Sequence, residues 1–280
     1  MIKIENVVLA SPEHMMFIIQ GMRNPKNSWD RSDSCITRVS SDDGNFITSS
    51  SINNFELGEN DHALMQSLSK AGTDHRKFMR MMPVYVRITA PLYWWSEFDT
   101  YKVGTVANSC SKMHKLLSKP FEMSDFSFDK LPGYKFEPKQ YRPEVDEDLE
   151  EWLEIPDAQD GYAMKENIFE NFARPIIDTL NELRDSFFNS MDQGERKQIW
   201  YSIIQLLPSS YNQTRNVMMN YEVLANMYKS RKGHKLDEWR EFCKWIEGLP
   251  YSELITGKRY IIGADLSQSS DFINKEEENT

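Results

Sequence analysis

The pattern of hydrophobic and polar positions divides the 280-residue chain into strands and amphipathic helices in mixed order. Apolar and polar residues alternate over residues 2–10 and again over 78–91, and both stretches are rich in β-branched side chains. This period of two predicts two strands. Residues 24–60 are rich in Asn, Ser, Asp and Gly, which predicts loops with one short strand near CITRVS.

Apolar residues at spacings of three and four predict helices elsewhere along the chain. The first helix has a clear start, because Ser11 is a good N-cap and Pro12 suits the first helical position. Gly72 stops the second helix. The predicted helices cover residues 11–23, 61–72, 166–191, 195–206, 211–231 and 236–249. Residues 92–119 predict a helix, an irregular turn and another helix.

Strands and long helices mix here without a regular βαβ alternation, which predicts an α+β fold with a mixed or antiparallel sheet. We expect a single domain over residues 1–263. Within it, residues 120–165 are acidic and contain several prolines, so they predict a solvated insertion that serves as a lid or a subunit contact. Residues 264–280 form a polar tail.

The composition of the chain mainly excludes classes of protein and kinds of site. A formal net charge of −10 argues against a protein that binds duplex nucleic acid. No apolar run reaches the ~18 residues of a membrane span, and the start lacks the layout of a signal peptide, so we expect a soluble cytoplasmic protein. The three cysteines, Cys35, Cys110 and Cys243, are too widely spaced for a disulfide framework or a zinc site, and no metal is predicted.

Residues 211–231 stand out because amides and arginines interrupt an apolar stripe. On one continuous helix, Asn220 and Arg231 are eleven residues apart and therefore within about 20° of each other, at the edge of that stripe. Polar groups at such an edge need partners. Either Asn220 and Asn226 cap or bridge neighbouring elements, or an elongated ligand that carries phosphate lies along the helix.

A Leu-Pro pair at 207–208 precedes this segment, which ends at Arg231 and is followed by His234 and Trp239. Upstream, His75 leads into a strand that ends in Ala-Pro, and TYKVGTVANSCSKM follows. The order and spacing of these residues resemble the flavin-dependent thymidylate synthases, the ThyX family, over roughly residues 61–117 and 199–246. The resemblance implies the fold of that family.

The family's signature motif is altered in this chain. Residues 100–102 read Thr-Tyr-Lys where the family has Arg-His-Arg, and residues 107–108 read Ala-Asn where it has Asn-Glu. Cys110 replaces a serine, and Glu97 stands where the family usually has glutamine. An arginine that the family carries shortly before the Leu-Pro pair is absent, with Ile-Gln at residues 204–205.

The resemblance implies an enzyme that binds FAD and methylates C5 of dUMP to give dTMP, using NADPH and methylenetetrahydrofolate. It also implies a homotetramer whose sites are built from several subunits. Arg231 would polarise the pyrimidine. The implied flavin contacts are His75, Lys102, Asn220, Asn226 and His234. The implied nucleotide contacts are Glu97, Thr105, Ser111, Lys112 and Arg231.

Two features have open alternatives. Cys110 is either a small buried thiol or a catalytic thiolate, activated by Lys102 and Lys112, that adds to C6 of the pyrimidine. The aromatic run Tyr-Trp-Trp at residues 93–95 is either core or a stacking face for a flavin or folate ring.

Two rival functions follow from the altered signature. The first is a sibling enzyme that acts on another pyrimidine nucleotide, UMP or dCMP, or that forms a hydroxymethyl product. The second is a non-catalytic nucleotide-binding protein on the same fold, since loss of the Arg-His-Arg charge would weaken flavin binding.

Overall fold

A computed structural model describes most of the chain, which falls into two compact units. The described residues are 2–39, 52–111, 115–128 and 172–258. We call the first unit the helical unit; it comprises residues 90–95 and the described parts of 110–213. We call the second the sheet unit; it comprises the described parts of 2–89, 96–109 and 214–258. Among these residues, no helix has the length and apolar character needed to cross a membrane.

The described residues form six strands and eight α-helices, which confirms the predicted α+β class. The strands are β1 (Lys3–Leu9), β2 (Cys35–Val39), β3 (Ile52–Glu56), β4 (Pro83–Pro91), β5 (Val106–Ser109) and β6 (Asn212–Asn220). The helices are α1 (Pro12–Arg23), α2 (Glu59–Lys70), α3 (Leu92–Phe98), α4 (Arg174–Asn189), α5 (Gln193–Leu206), α6 (Tyr221–Arg231), α7 (Asp237–Glu247) and α8 (Glu253–Thr256).

The main sheet has the strand order β1-β4-β6-β5. β1 pairs antiparallel with β4, and β5 pairs antiparallel with β6. The two central strands are also antiparallel: the Tyr221 amide donates to the Met82 carbonyl at 3.1 Å, and further along the Thr89 and Thr214 hydroxyls lie 2.7 Å apart. A second, two-stranded sheet joins β2 to β3. The sequence predicts only one strand in residues 24–60, where the structure has two.

The prediction of one helix over residues 211–231 is wrong, because its first half is strand β6 and only its second half is helix α6. The burial of β6 follows the period of a strand: Gln213, Val217 and Met219 are buried, whereas Asn216 is exposed. Val217 and Leu224, whose spacing suggests one apolar helical stripe, are both buried, but the first lies in the strand and the second in the helix. Pairing with neighbours on both sides decided the backbone conformation.

The predicted second helix within residues 92–119 is also wrong, since Val106–Ser109 form strand β5. All four of its residues are exposed, so their hydrophobic pattern carries little information about the backbone. The strand exists because it pairs with β6 at the edge of the sheet. By contrast, α1 begins as predicted, with the Ser11 side chain accepting a hydrogen bond from the His14 amide.

The helical unit is built around the antiparallel helices α4 and α5 and the segment after Lys115. Its central side chains include Phe121, Leu180 and Ile203. In the same unit, Trp94 and Trp95 are 0% and 1% exposed, which confirms the interpretation of these two residues as core.

The sheet unit contains a buried polar centre at Asp61, which is completely inaccessible to solvent. Asp61 Oδ1 accepts from Arg23 Nε at 2.5 Å, and Oδ2 accepts from the Ser32 hydroxyl and from the amides of Asp33 and Ser34. Burial acts to raise the pKa of Asp61, but the hydrogen bonds from Ser34, Ser32 and Arg23 outweigh it and lower the pKa. The carboxylate therefore stays charged and ties α1 and α2 together.

Candidate functional site

Side chains from α3, α6, α7 and two loops of the sheet unit meet at one carboxylate, that of Glu97. Arg231 Nη1 donates to Glu97 Oε2 at 2.6 Å, and Trp239 Nε1 donates to the same oxygen at 2.9 Å. His234 Nε2 lies 3.3 Å from that oxygen, and Arg231 Nε donates to the Tyr101 hydroxyl at 3.0 Å. We call these five residues the Glu97 cluster.

Helix ends place the members of the Glu97 cluster. Arg231 closes α6, where a cation is favoured by the negative end of the helix dipole. Its carbonyl accepts from the His234 amide at 2.9 Å, which holds the turn that leads into α7. The fully buried Trp239 then places its ring 4.8 Å from the Arg231 guanidinium. Stacking and hydrogen bonding together fix the orientation of the guanidinium.

The proton on His234 can be assigned from its neighbours. The Leu236 amide donates to His234 Nδ1 at 3.2 Å, so the neutral ring carries its hydrogen on Nε2. That hydrogen faces Glu97 Oε2. The side chains of Arg231 and His234 are 19% and 23% exposed, so a ligand can reach the cluster from solvent.

The loop between α3 and β5 connects this cluster to the start of α6. Gly104 has a φ of +82°, and a Cβ at this position would lie 2.9 Å from Asn220 Nδ2, so only glycine suits the position. The Thr105 hydroxyl donates to the Tyr101 carbonyl and closes the loop. Lys102 is exposed on the same loop.

Asn220 is the N-cap of α6, and its side-chain oxygen accepts from the Val223 amide at 3.0 Å. The capping interpretation of Asn220 is therefore confirmed. Because Asn220 belongs to the strand end rather than to the helix, the predicted alignment of Asn220 with Arg231 along one helical edge is wrong. A flavin contact by its Nδ2 group stays a prediction.

A second polar cluster ties the turn after His75 to α6. Glu222, only 8% exposed, accepts from Arg76 Nε at 3.1 Å and from Arg80 Nη2 at 3.2 Å, with a further bond from Arg80 Nε. Arg76 Nη2 also donates to Asn226 Oδ1 at 3.1 Å. We call Arg76, Arg80, Glu222 and Asn226 the Glu222 clamp.

Ion pairing with Arg76 and Arg80 decides the direction in which the pKa of Glu222 shifts. Burial acts to raise the pKa of Glu222, but the hydrogen bonds and charges of Arg80 and Arg76 outweigh burial and lower the pKa. Sequence reasoning missed Arg76, Arg80 and Glu222. The helix that the sequence predicts over residues 211–231 places Glu222 in its interior, and the arginine partners lie more than 140 residues away in the chain.

The predicted site residues thus fall into separate groups. Glu97, Arg231 and His234 meet directly in the sheet unit. His75, which is exposed, neighbours the arginine that binds Asn226.

Cys110 and Ser111 belong to the helical unit and are both exposed, and Lys112 lies outside the described residues. The interpretation of Cys110 as a buried thiol is therefore wrong. Its carbonyl accepts from Gln213 Nε2 at 2.8 Å.

No cluster of three or more His, Cys, Asp or Glu side chains suited to a metal occurs within the described parts of the chain. The three cysteines are free thiols.

Comparison with known proteins gives a likeness of fold and none of sequence. No protein-family profile and no curated protein sequence matches the chain. The antiparallel sheet with packed helices is shared with solved thymidylate synthases of the flavin-dependent type.

One of these is thymidylate synthase X from Helicobacter pylori with FAD and dUMP, at 15% identity and a TM-score of 0.51, covering 91% of this chain and 97% of that one. Another structure of flavin-dependent ThyX from Helicobacter pylori, also complexed with FAD and dUMP, has 16% identity and a TM-score of 0.49, covering 91% and 96%. The first likeness shows that this chain has the same fold.

Proposed function

We propose that this protein is a flavin-dependent enzyme that methylates C5 of a pyrimidine deoxynucleotide and converts dUMP to dTMP. The Glu97 cluster carries the proposal, because it holds the partly exposed guanidinium of Arg231 beside His234 in a fold shared with an enzyme crystallised with FAD and dUMP. Methylenetetrahydrofolate would supply the one-carbon unit and NADPH the reducing equivalents.

The donor set near the start of α6 suits a group that carries phosphates. His75 and Lys102 are exposed, and Asn226 Nδ2 makes no hydrogen bond within the described residues. The Glu222 clamp brings two guanidinium groups to one carboxylate and so keeps a net positive charge. FAD, when bound, would supply the redox chemistry, while these side chains bind and orient it.

Arg231 acts on the nucleotide in this proposal. Its guanidinium donates to a carbonyl of the pyrimidine and stabilises the negative charge that develops on the ring as C5 reacts. Thr105, Ser111 and Lys112 remain the predicted contacts of the nucleotide phosphate. Cys110 remains the predicted thiolate that adds reversibly to C6, and near-full activity of Cys110→Ser would contradict that role.

An absorption spectrum of the purified protein, taken after addition of FAD and desalting, tests flavin binding first. We expect retained flavin bands, and formation of dTMP from dUMP with methylenetetrahydrofolate and NADPH. Arg231→Ala should retain flavin but lower kcat/KM by roughly 10²–10³. A flavin-loaded protein that forms no C5-alkylated nucleotide would contradict the proposal.

Two alternatives are supported by particular residues. Residues 100–102 lack the Arg-His-Arg charge of the family, which favours a nucleotide-binding protein without redox chemistry; a colourless protein that binds dUMP would support it. Glu97, in place of the family's glutamine, favours a sibling enzyme that acts on UMP or dCMP or forms a hydroxymethyl product, and product analysis with each nucleotide separates these cases.

We also propose that the chain assembles as a homotetramer, with the open face of the main sheet in an interface. One apolar residue from each of the four strands lies in a single row across this face. The contact between Thr89 and Thr214 sets the register of the two central strands, and the pairings of β1 with β4 and of β5 with β6 extend the row to the edges. The row consists of Val8, Tyr85, Met218 and Val106. Val8, Tyr85 and Val106 are 58%, 48% and 59% exposed, and Met218 is half-buried. Covering such an apolar sheet face with a partner subunit removes it from water and is therefore favourable.

A further inference from the structure

The two oxygens of the Glu97 carboxylate are used unequally. Oε2 accepts from Arg231 Nη1 at 2.6 Å and from Trp239 Nε1 at 2.9 Å, and lies 3.3 Å from His234 Nε2. Oε1 makes no hydrogen bond within the described residues, and the side chain is 34% exposed. An ionised carboxylate only accepts hydrogen bonds, so Oε1 is an acceptor open to a ligand.

Arg231 presents the complementary group. Its Nε donates to Tyr101 and its Nη1 to Glu97, whereas Nη2 makes no hydrogen bond within the part of the chain that the structure describes. The rings of Trp239 and Tyr101, centred 4.8 Å and 5.6 Å from the guanidinium carbon, hold the group in place. An open donor and an open acceptor therefore belong to one oriented ion pair.

The charge of this pair limits what it can bind. Glu97 neutralises Arg231, so a phosphate or carboxylate approaching Arg231 would also meet the Glu97 carboxylate at short range. A neutral group that accepts from Arg231 and donates to Glu97 satisfies both partners without this repulsion.

We infer that Glu97 and Arg231 together bind the neutral edge of a pyrimidine that carries a hydrogen-bond acceptor next to an N–H donor, and that Glu97 sets this specificity. The inference rests on the proposed function, because it names the group recognised at the same site. Uracil offers a carbonyl beside N3–H, and cytosine offers ring N3 beside the 4-amino group. A glutamine at this position could both donate and accept hydrogen bonds. A carboxylate only accepts them, so Glu97 selects more strictly for a ligand that carries a hydrogen-bond donor.

Binding of methylated nucleotides to the flavin-loaded protein tests the inference without catalysis. By calorimetry, we expect N3-methyl-dUMP to bind about 10–100-fold more weakly than dUMP, because the carboxylate loses its donor. If dCMP binds more tightly than dUMP, the matched pair is dCMP and N4,N4-dimethyl-dCMP.

Glu97→Gln separates hydrogen bonding from steric exclusion. The amide oxygen keeps the contacts with Arg231 and Trp239 and turns its NH₂ group towards the ligand, so the methylation penalty should fall to about 3-fold or less. A steric penalty would persist, because glutamine has nearly the same shape. Tyr101→Phe is the matched control: it removes a hydroxyl from the cluster but leaves both open atoms, and it should keep the full penalty.

Equal binding of the parent and methylated nucleotides to the wild type would overturn the inference, as would an undiminished penalty in Glu97→Gln. Either result would leave the proposed function standing if dTMP is formed in the separate assay. Failure of both dUMP and dCMP to bind would overturn the inference and the proposed function together.

Discussion

At the scale of single residues, one amide serves both the backbone and the candidate site. Asn220 caps α6 through Oδ1, and its Nδ2 lies against the loop at Gly104. The same residue type that suggested a ligand contact is thus also required by the helix. A functional role for Asn220 has to be separated from this structural one.

We expect Asn220→Ala to lower the free energy of unfolding by about 1 kcal/mol, because the Val223 amide loses its acceptor. Asn220→Asp should retain most of the stability. Urea denaturation followed by circular dichroism measures the difference. Asn216→Ala, on the exposed side of β6, is the control and should change stability little. Equal losses in the two alanine variants would contradict the capping role.

Glu222 predicts a dependence of stability on pH. Its pKa in the folded protein is below the ordinary value of 4.5, so its contribution is fully present above that value and is lost as the pH falls through the folded pKa. Glu222→Gln should therefore be less stable than the wild type at neutral pH, and the difference should shrink as the pH falls below 4.5. A difference that is constant over this range, measured by denaturant titration at each pH, would show that the charge is not involved.

At the scale of elements, α2 is capped from a distant segment. The amides of Asn60 and Asp61 donate to the two carboxylate oxygens of Asp33 at 2.8 Å and 3.0 Å. Gly58 leaves room for this approach, since a Cβ there would lie 2.1 Å from Asp33 Oδ1. The start of the helix therefore depends on a loop contact as well as on its own sequence.

We expect Gly58→Ala to lower the free energy of unfolding by about 1–3 kcal/mol, because the methyl group collides with the Asp33 side chain and backbone. Gly233→Ala is the matched control, since a Cβ there meets nothing within 4 Å. Thermal unfolding of both variants tests this. Two similar melting temperatures would mean that α2 does not need the Asp33 cap.

At the scale of the whole molecule, an exposed apolar row crosses the main sheet and predicts self-association. A lysine in the row would place a charge in the proposed interface. Val106→Lys should shift the assembly towards monomer in light scattering coupled to size-exclusion chromatography. Met191→Lys, at a residue that is 98% exposed between α4 and α5, should leave the assembly unchanged. A wild-type monomer at micromolar concentration would contradict the proposed tetramer.

Sequence reasoning succeeded where the cause is local. Ser11 and Pro12 start α1 within a single turn, and the apolar spacing of α7 is visible in eleven consecutive residues. It failed at β5 and β6, because a strand needs partners that are distant in sequence. Ser109 of β5 and Arg215 of β6 face each other in the sheet but are more than 100 residues apart in the chain, and no local pattern reports such a pairing.

The sequence by itself determined the α+β class and the start of α1, and through a family resemblance it predicted that Glu97 and Arg231 contact the same ligand. Only the tertiary structure decided that Arg231 is paired with a carboxylate, that Asn220 is a cap, and that Glu222 holds two arginines. The physical reason is the distance along the chain over which each kind of interaction acts. Capping and periodicity act within a few residues, whereas hydrogen bonds between side chains depend on which elements the fold brings together.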